Sequence, residues 1–208
     1  MVSKLGPCRL EGRFVRLEPL RKRHARGLSD AAMKLDWGWM LAPLRSRNDV
    51  EKRIAQAARM EKNDQGYVFA VRLKRDKRIV GSTSFFGIVS EHKRVEIGYT
   101  WYEQDLWGTF VNPECKFLLL QRAFEDWHAN RVQISTDVNN VHSQKAILKL
   151  AATFEGRLRN HAIRPDGSIR DTLVYSITST EWPRIKSALR MRIESDRTAS
   201  WSQDKSSF

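Results

Sequence analysis

The stretch VEIGYTWYEQDLWGTFVNPECKFLLL, residues 95–120, carries the strongest structural signal in this 208-residue chain. It begins with an alternating strand pattern, passes through a loop that contains Gly108, and continues into the apolar run of a helix. Asn112 as N-cap, Pro113 at the first helical position and Glu114 in the first turn are typical of a helix start. A strand, a glycine loop and a helix start also point free backbone N–H groups at an anion. Two interpretations therefore stay open, an ordinary helix start and a phosphate-binding corner, and the stretch by itself favours the first.

The elements around this stretch predict a single α/β (α+β) domain over residues 1–193. Strands are predicted at 13–20, 67–74, 78–88, 94–102, 131–138, 153–163 and 169–178, and helices at 22–34, 48–64, 112–129, 143–152 and about 180–193. Asn48 or Asp49 is the expected N-cap of the second helix. This order implies a mixed central sheet of about seven strands, parallel around its two central strands and flanked by helices. The Ser-rich, aperiodic residues 194–208 predict a disordered tail.

Composition and charge limit the function classes. Hydrophobic residues make up 41% and charged residues 29%, as in a globular protein with a real core. The net charge of +13 attracts nucleic acid, acidic membrane surfaces or phosphate-rich ligands. However, the positive charge is spread along the whole chain, and a basic surface without a specific partner is equally consistent with it. No RNA- or DNA-binding motif is present, so a nucleic-acid-binding protein ranks last among the hypotheses.

The sequence also indicates the compartment. No apolar run is long enough for a transmembrane helix, and the first residues lack the apolar stretch of a secretory signal. Cys8 and Cys115 lie far apart, and none of the five histidines has metal-ligand spacing. We therefore expect a cytoplasmic, reduced protein without a membrane partner and without a metal.

Three pieces of sequence, in this order and spacing, carry a family resemblance. They are EIGYTW (96–101), the segment from Gly108 to Glu125, and TDVNNVHSQKAILKLAATFEG (136–156). Together they resemble the GNAT superfamily of acetyl-coenzyme A-dependent N-acetyltransferases, and more narrowly its RimJ/RimL-like branch of ribosomal-protein N-terminal acetyltransferases. Matches continue through DGSIRDT (166–172) and EWP (181–183), so the resemblance covers nearly everything from residue 10 to 193.

The resemblance implies the GNAT acyl-CoA N-acyltransferase fold and direct transfer of an acetyl group from acetyl-coenzyme A to an amine. The acceptor would be a protein N-terminus, such as that of a ribosomal protein, or a small primary amine. The proton of the amine and the departing thiolate both need partners, and positioned side chains contribute about 10²–10⁴-fold to such proton transfers. A homodimer is left open as the assembly state.

Candidate site residues follow from the motifs and from the resemblance. Glu96 is the candidate general base, because a half-buried strand carboxylate can have a raised pKa; a solvated structural carboxylate is equally consistent. The resemblance implies that Ser143 is the proton donor to sulfur and that Asn140 binds the pantetheine side, although an N-cap and a first-turn serine would look the same. It also implies coenzyme binding by the backbone of one strand and by the phosphate loop, at Tyr99, Thr100, Trp101, Gly108, Thr109, Phe110, Val111 and Asn112.

Three departures from the family pattern lie close to these residues. The phosphate loop of the superfamily reads [Q/R]-x-x-G-x-[G/A], and here its first position is Asp105 and its last is Phe110. Ala151 stands where the branch usually has glycine. These changes predict weakened or re-angled coenzyme binding, and they motivate an alternative function as a GNAT-fold binding or regulatory module.

Several polar residues of the last hairpin are interpreted as structural rather than catalytic. Arg159, Arg170 and Asp171 are interpreted as an ion-pair group that shapes the acceptor cleft. Tyr175 is interpreted as a core residue in preference to a second proton donor, and His161 as a structural or exposed residue.

Overall fold

The computed structural model describes residues 5–203, and the side chains of residues 5–195. The strands of this part are β1 Leu10–Glu11, β2 Val15–Pro19, β3 Gly66–Leu73, β4 Ile79–Val89, β5 Arg94–Tyr102, β6 Arg131–Asp137, β7 Thr153–Ile163 and β8 Ile169–Thr178. The α-helices are α1 Ala25–Ala32, α2 Arg47–Lys62, α3 Val111–Gln121, α4 Val141–Leu148 and α5 Trp182–Gln203. A π-helical turn, Arg122–Asp126, continues α3.

All described strands form one sheet in the order β1-β2-β3-β4-β5-β6-β8-β7. Every neighbouring pair is antiparallel except β5 and β6, which are parallel. The predicted mixed sheet with a parallel centre is therefore confirmed. It has one strand more than the predicted seven, because the two-residue strand β1 adds to the edge of β2.

Helices cover both faces of the sheet, and strand alternation separates the two cores. In β3, Tyr67, Phe69 and Val71 belong to the core under α3 and α5, whereas Val68 and Ala70 belong to the core under α1 and α2. Successive strand side chains point to opposite faces, and full burial of one large apolar side chain stabilises the fold by about 1.5–3 kcal/mol. The near-continuous apolar pattern of this strand thus reflects burial on both faces.

The start of α2 corrects one prediction. Ser46 is the N-cap, and neither Asn48 nor Asp49 has this position. The Ser46 hydroxyl accepts a hydrogen bond from the Asp49 N–H at 3.1 Å and donates to the Asp49 carboxylate at 2.8 Å. Asp49 therefore acts as the reciprocal first-turn partner of the cap rather than as the cap.

The final helix is longer than predicted, since α5 continues to Gln203 instead of ending near residue 193. Residues 204–208 of the predicted disordered tail lie outside the described residues. In the part of the chain that the structure describes, no helix combines the length and the apolar character that a membrane crossing needs.

Candidate active site

A gap opens in the centre of the sheet between β5 and β6. Their parallel pairing runs only from Arg94 to Glu96 on β5, and Glu96 lies opposite Gln133. Beyond this point β5 continues to Tyr102 and β6 to Asp137 without pairing to each other. The β6-facing edge of β5 therefore carries backbone polar groups that no strand satisfies, and buried groups of this kind need a partner. The gap is the natural place for a ligand with amide groups of its own.

A β-bulge lies in β5 at the same level. Tyr99 and Thr100 together lie opposite Thr83, which is one residue more than regular pairing allows. Tyr99 adopts a φ of +48°, a left-handed conformation that costs a non-glycine residue about 1–2 kcal/mol. Backbone strain of this kind is concentrated at functional sites. Bulges next to active sites, in addition, change the direction in which side chains point.

The bulge sends the side chains of the three predicted pantetheine-contacting residues in different directions. The Tyr99 ring packs 4.9 Å from the Phe86 ring, and the Thr100 hydroxyl accepts a hydrogen bond from the Lys116 ammonium at 2.9 Å. Trp101 is buried in the core under α1 and α2. None of the three residues pairs with β6 among the described strands, so their backbone groups on that edge are available for the predicted role, which stays a prediction.

Glu96 lies where the β5–β6 pairing ends. Its Oε2 accepts a hydrogen bond from the Gln133 amide at 2.8 Å. Burial raises the pKa of the Glu96 carboxyl above its ordinary value, and hydrogen bonds from Ser135 and Gln133 oppose this shift. A raised pKa brings a carboxylate closer to the range in which it accepts a proton from an amine. The geometry is thus compatible with the predicted general base.

The loop before α3 leaves backbone donors free. The Thr109 hydroxyl donates to the Leu106 carbonyl at 2.7 Å and accepts the Val111 N–H at 3.3 Å. In residues 5–203, by contrast, the N–H groups of Gly108, Phe110 and Asn112 have no hydrogen-bond acceptor. The positive end of the α3 dipole lies at the same place, so this corner can bind an anion such as a phosphate.

The same corner corrects the predicted helix start. Helix α3 begins at Val111, and Phe110 occupies the N-cap position without a side-chain cap. Asn112 is therefore not the N-cap, and Pro113 is the third helical residue. The Asn112 side chain instead accepts a hydrogen bond from the Tyr102 hydroxyl at 3.3 Å. Proline is still tolerated here because the first-turn N–H groups have no intrahelical acceptor in any case.

Phe110 and Asp105, the two unusual loop residues, are placed without strain. Phe110 has a φ of −63°, and its ring centroid lies 4.5 Å from that of Phe14. Its side chain is thus held against the turn between β1 and β2. Asp105 is exposed in the 3₁₀ turn Gln104–Leu106. Gly108 has a φ of +79°, which explains the need for glycine at this loop position.

The N-terminus of α4 faces the same region, but it is capped. The Asn140 side chain accepts the Ser143 N–H at 2.9 Å, so Asn140 is an N-cap whatever else it does. The partly exposed Ser143 hydroxyl has no hydrogen-bond partner among the described residues. The rings of Trp107 and His142 stack 4.8 Å apart and join the loop before α3 to the start of α4. Sequence reasoning missed this contact, which brings the two predicted parts of the site together.

Ala151, the third departure, lies beyond the opposite end of α4. It adopts a φ of +57° just after the helix, where glycine is the favoured residue. The glycine of the family pattern thus meets a backbone requirement of the helix end, which gives Ala151 a different significance from a coenzyme contact.

Two arginines near Tyr99 were not predicted to interact with it. Arg53 on α2 lies over the Tyr99 ring at 5.0 Å. Burial lowers the pKa of the Arg170 guanidinium on β8, and Asp137, Tyr99 and Glu96 oppose this shift. The predicted Arg159–Arg170–Asp171 group is wrong in its pairing. Asp171 accepts from Arg157 at 2.7 Å, whereas Arg170 lies 3.7 Å from Asp137.

The strand gap, the bulge and the start of α3 all lie within the part of the chain that a family model matches. The family model described as an acetyltransferase (GNAT) domain matches residues 15–153, which is more than half of the chain. The chain belongs to the GNAT acetyltransferase family. The predicted family and fold are confirmed, while the RimJ/RimL-like branch stays a prediction.

Known proteins show the same relationship. The chain is 26% identical over 114 residues to the uncharacterized N-acetyltransferase p20 of Bacillus licheniformis. This alignment covers 55% of this chain and 63% of the relative, so the chain spans less than two thirds of that relative's length. A crystal structure of a GCN5-related N-acetyltransferase from Brucella melitensis aligns with a TM-score of 0.85 and 27% identity over 92% of this chain and 87% of that one. RimJ of Mycobacterium smegmatis, in complex with CoA-disulfide, aligns with a TM-score of 0.75 over 89% and 95% of the two chains, and at 18% identity it shows likeness of fold alone.

Proposed function

We propose that this protein is a cytoplasmic, acetyl-coenzyme A-dependent N-acetyltransferase of the RimJ/RimL-like branch that acts on a primary amine. One observation carries the proposal. The gap beyond Glu96 and the three free N–H groups at the start of α3 lie along one continuous segment, β5–loop–α3. This segment offers backbone partners for an amide-containing arm and donors for a pyrophosphate.

The chain's residues fit the coenzyme at both of these places. Gly108, Phe110 and Asn112 would donate backbone hydrogen bonds to phosphate oxygens, and the α3 dipole would favour the negative charge. The unpaired edge of β5, from Ile97 to Tyr102, would bind the amide groups of the pantetheine arm. The unpaired edge and the free donors are therefore explained by the same ligand.

The coenzyme would supply an acetyl thioester, and the protein would supply position and proton transfer. Glu96 would accept a proton from the attacking amine, directly or through a water molecule, because burial raises the pKa of its carboxyl. The free Ser143 hydroxyl would donate a proton to the departing sulfur. Asn140 keeps that hydroxyl in place by capping the first turn of α4.

The acceptor is proposed to be a protein N-terminus, such as that of a ribosomal protein, or a small primary amine. The likeness to the RimJ/RimL-like branch supports the first. The net charge of +13 also favours approach to the negatively charged surface of a ribosome.

The test is a titration with acetyl-coenzyme A followed by turnover assays on a panel of N-terminal peptides and small amines. We expect saturable binding and turnover, and we expect Glu96→Gln to lower kcat/KM by about 10²-fold or more with unchanged coenzyme affinity. In the wild type, activity should fall as the pH falls through the raised pKa of Glu96, because the protonated carboxyl cannot act as a base; the variant should lack this limb. Glu91→Gln, at an exposed site, is the control.

Two other outcomes would contradict the proposal. Tight coenzyme binding without turnover of any amine would support the binding-module alternative. Absence of coenzyme binding would show that acetyl-coenzyme A is not a substrate of this protein.

A further inference from the structure

Two buried arginine nitrogens have no hydrogen-bond partner. Among the side chains that the structure describes, the only buried polar atoms of this kind are Arg53 Nη2 and Arg170 Nε. Buried polar atoms are normally hydrogen-bonded, and each exception needs an explanation. Arg53 lies over the Tyr99 ring in the bulge of β5, and Arg170 lies 3.7 Å from Asp137, the last residue of β6. The two exceptions therefore lie on opposite sides of the gap between β5 and β6.

Among the side chains that the structure describes, none is a carboxylate partner of the buried Arg53 guanidinium. The residue is 9% exposed, its Nη1 donates to the Gln56 side chain at 2.9 Å, and its guanidinium lies 5.0 Å from the Tyr99 ring centroid. Burial lowers the pKa of its guanidinium, and Tyr99 is the only group that opposes this shift. Charged groups are rarely buried unless they are paired, and a contact with an aromatic face compensates only part of the lost hydration.

Arg170, on β8, lies on the other side of the gap, beside the end of β6. Its side chain is 11% exposed, and it lies 3.7 Å from Asp137. Asp137 is already held by two hydrogen bonds from Arg164, at 2.8 and 2.9 Å. Arg170 also interacts electrostatically with Tyr99 and Glu96, but no ion pair within 4.0 Å joins Glu96 to either buried arginine in the described part of the chain. Arg170 thus has donor capacity left beside the candidate general base.

We propose that Arg53 and Arg170 form a subsite that binds a carboxylate of the amine acceptor. This inference rests on the proposed function, in which Glu96 takes the proton of the same acceptor. A guanidinium presents several donors in a planar fork that matches a carboxylate, and the anion would neutralise the buried charge. The acceptor is accordingly an amine with a carboxylate a few bonds away. The carboxylate is the main-chain group of a free amino acid or the acidic side chain of a first peptide residue.

Two matched pairs of acceptors test this subsite. The first pair is L-leucine and L-leucine amide, and the second is glutamyl-alanyl-alanine amide and glutaminyl-alanyl-alanine amide. Binding is measured by calorimetry on protein loaded with coenzyme A, and turnover is measured with acetyl-coenzyme A. In at least one pair we expect the carboxylate member to bind about 10-fold tighter or more, since a buried charge-assisted hydrogen bond is lost in its neutral isostere. The pair that shows the preference identifies the source of the carboxylate.

Variants locate the preference. Arg53→Gln and, independently, Arg170→Gln should reduce it to about twofold or less while the affinity for coenzyme A stays unchanged. Arg59→Gln removes the same charge from the exposed face of α2 and should keep the preference. Equal binding of both members in both pairs by the wild-type protein would overturn the inference, even if neither variant folds. So would a preference that persists in both variants.

The proposed function and the subsite fail in different ways. Equal acetylation of amines with and without the carboxylate would support the proposed acetyltransferase function and contradict the subsite. In the opposite case, the wild-type protein prefers carboxylate-bearing amines in binding, both variants lose this preference, and no amine is acetylated. That result would support the subsite and contradict the proposed acetyltransferase function.

Discussion

The two helices that begin at the candidate site, α3 and α4, start in opposite ways. Helix α3 has no side-chain cap, and three backbone N–H groups around its first turn have no acceptor within residues 5–203. Helix α4 is capped by Asn140, whose side chain accepts the Ser143 N–H. Its unpaired group among the described residues is the Ser143 hydroxyl. The first helix can therefore bind an anion through its backbone, whereas the second can present one reactive side chain.

The two helices also differ in how firmly they are held. In α3, the Glu114 carboxylate accepts hydrogen bonds from the N–H groups of Arg13, Phe14 and Val15, and Lys116 is buried against Thr100. Burial lowers the pKa of the Lys116 ammonium to about 8. In the eight-residue α4, Ile147 is the only fully buried residue. The binding donors are thus fixed on a deeply anchored helix, and the hydroxyl lies on a lightly buried one.

The largest predicted effect concerns the anchor of α3. Glu114→Ala should lower the free energy of unfolding by about 3 kcal/mol, because it leaves one buried and two partly buried N–H groups without an acceptor and opens a cavity. Chemical denaturation measures the change, with the exposed Glu51→Ala on α2 as control. A loss no greater than that of the control would show that the anchor has no energetic role.

An intermediate effect concerns the free hydroxyl of α4. Ser143→Ala should lower kcat by about 10–10²-fold with little change in coenzyme affinity, because the hydroxyl donates a proton only during the reaction. The cap is retained, since Asn140 binds the backbone N–H of residue 143. Steady-state kinetics and a coenzyme titration measure the two quantities. Unchanged kcat would remove Ser143 from the mechanism.

The smallest effect concerns the far end of α4. Ala151→Gly should raise the free energy of unfolding by about 0.5–1 kcal/mol, because the φ of +57° suits glycine better than alanine. Ala146→Gly, inside the same helix, should lower it by about 1 kcal/mol and serves as the matched control. If both substitutions destabilise the protein equally, the left-handed conformation of Ala151 is not significant for stability.

Much of the fold could be predicted because local patterns specify it. The alternation in residues 153–163 and 169–178, with Asp166 and Gly167 between them, predicts β7 and β8 with their observed bounds. The cap by Asn140 was one of the two interpretations of that residue, and its side chain does accept the Ser143 N–H. The role of Glu96 stays a prediction. Helix starts were less predictable, because Ser46, Asn48 and Asp49 are all good capping residues by type. Only their actual hydrogen bonds identify Ser46 as the cap.

The arginines around Tyr99 could not be predicted, for a different reason. Arg53 looks like one of several charged residues on an amphipathic helix, and Arg170 looks like one of several on a hairpin. Arg53 is buried where α2 lies over the bulge of β5, and Arg170 is nearly buried where β8 runs beside the end of β6. No local pattern encodes either contact. A sequence therefore shows which charges exist, and the fold shows which of them lack a partner.

The most direct test of the account follows the backbone N–H signals of Gly108, Phe110 and Asn112 by nuclear magnetic resonance during titration with coenzyme A. We predict large, saturable shifts at these three signals, and smaller ones at the Ser143 N–H, which already has an acceptor. Pantetheine, which lacks the pyrophosphate, should leave the three signals nearly unchanged. If coenzyme A binds without moving them, or moves them no more than pantetheine does, the start of α3 is not the phosphate site and the central claim is wrong.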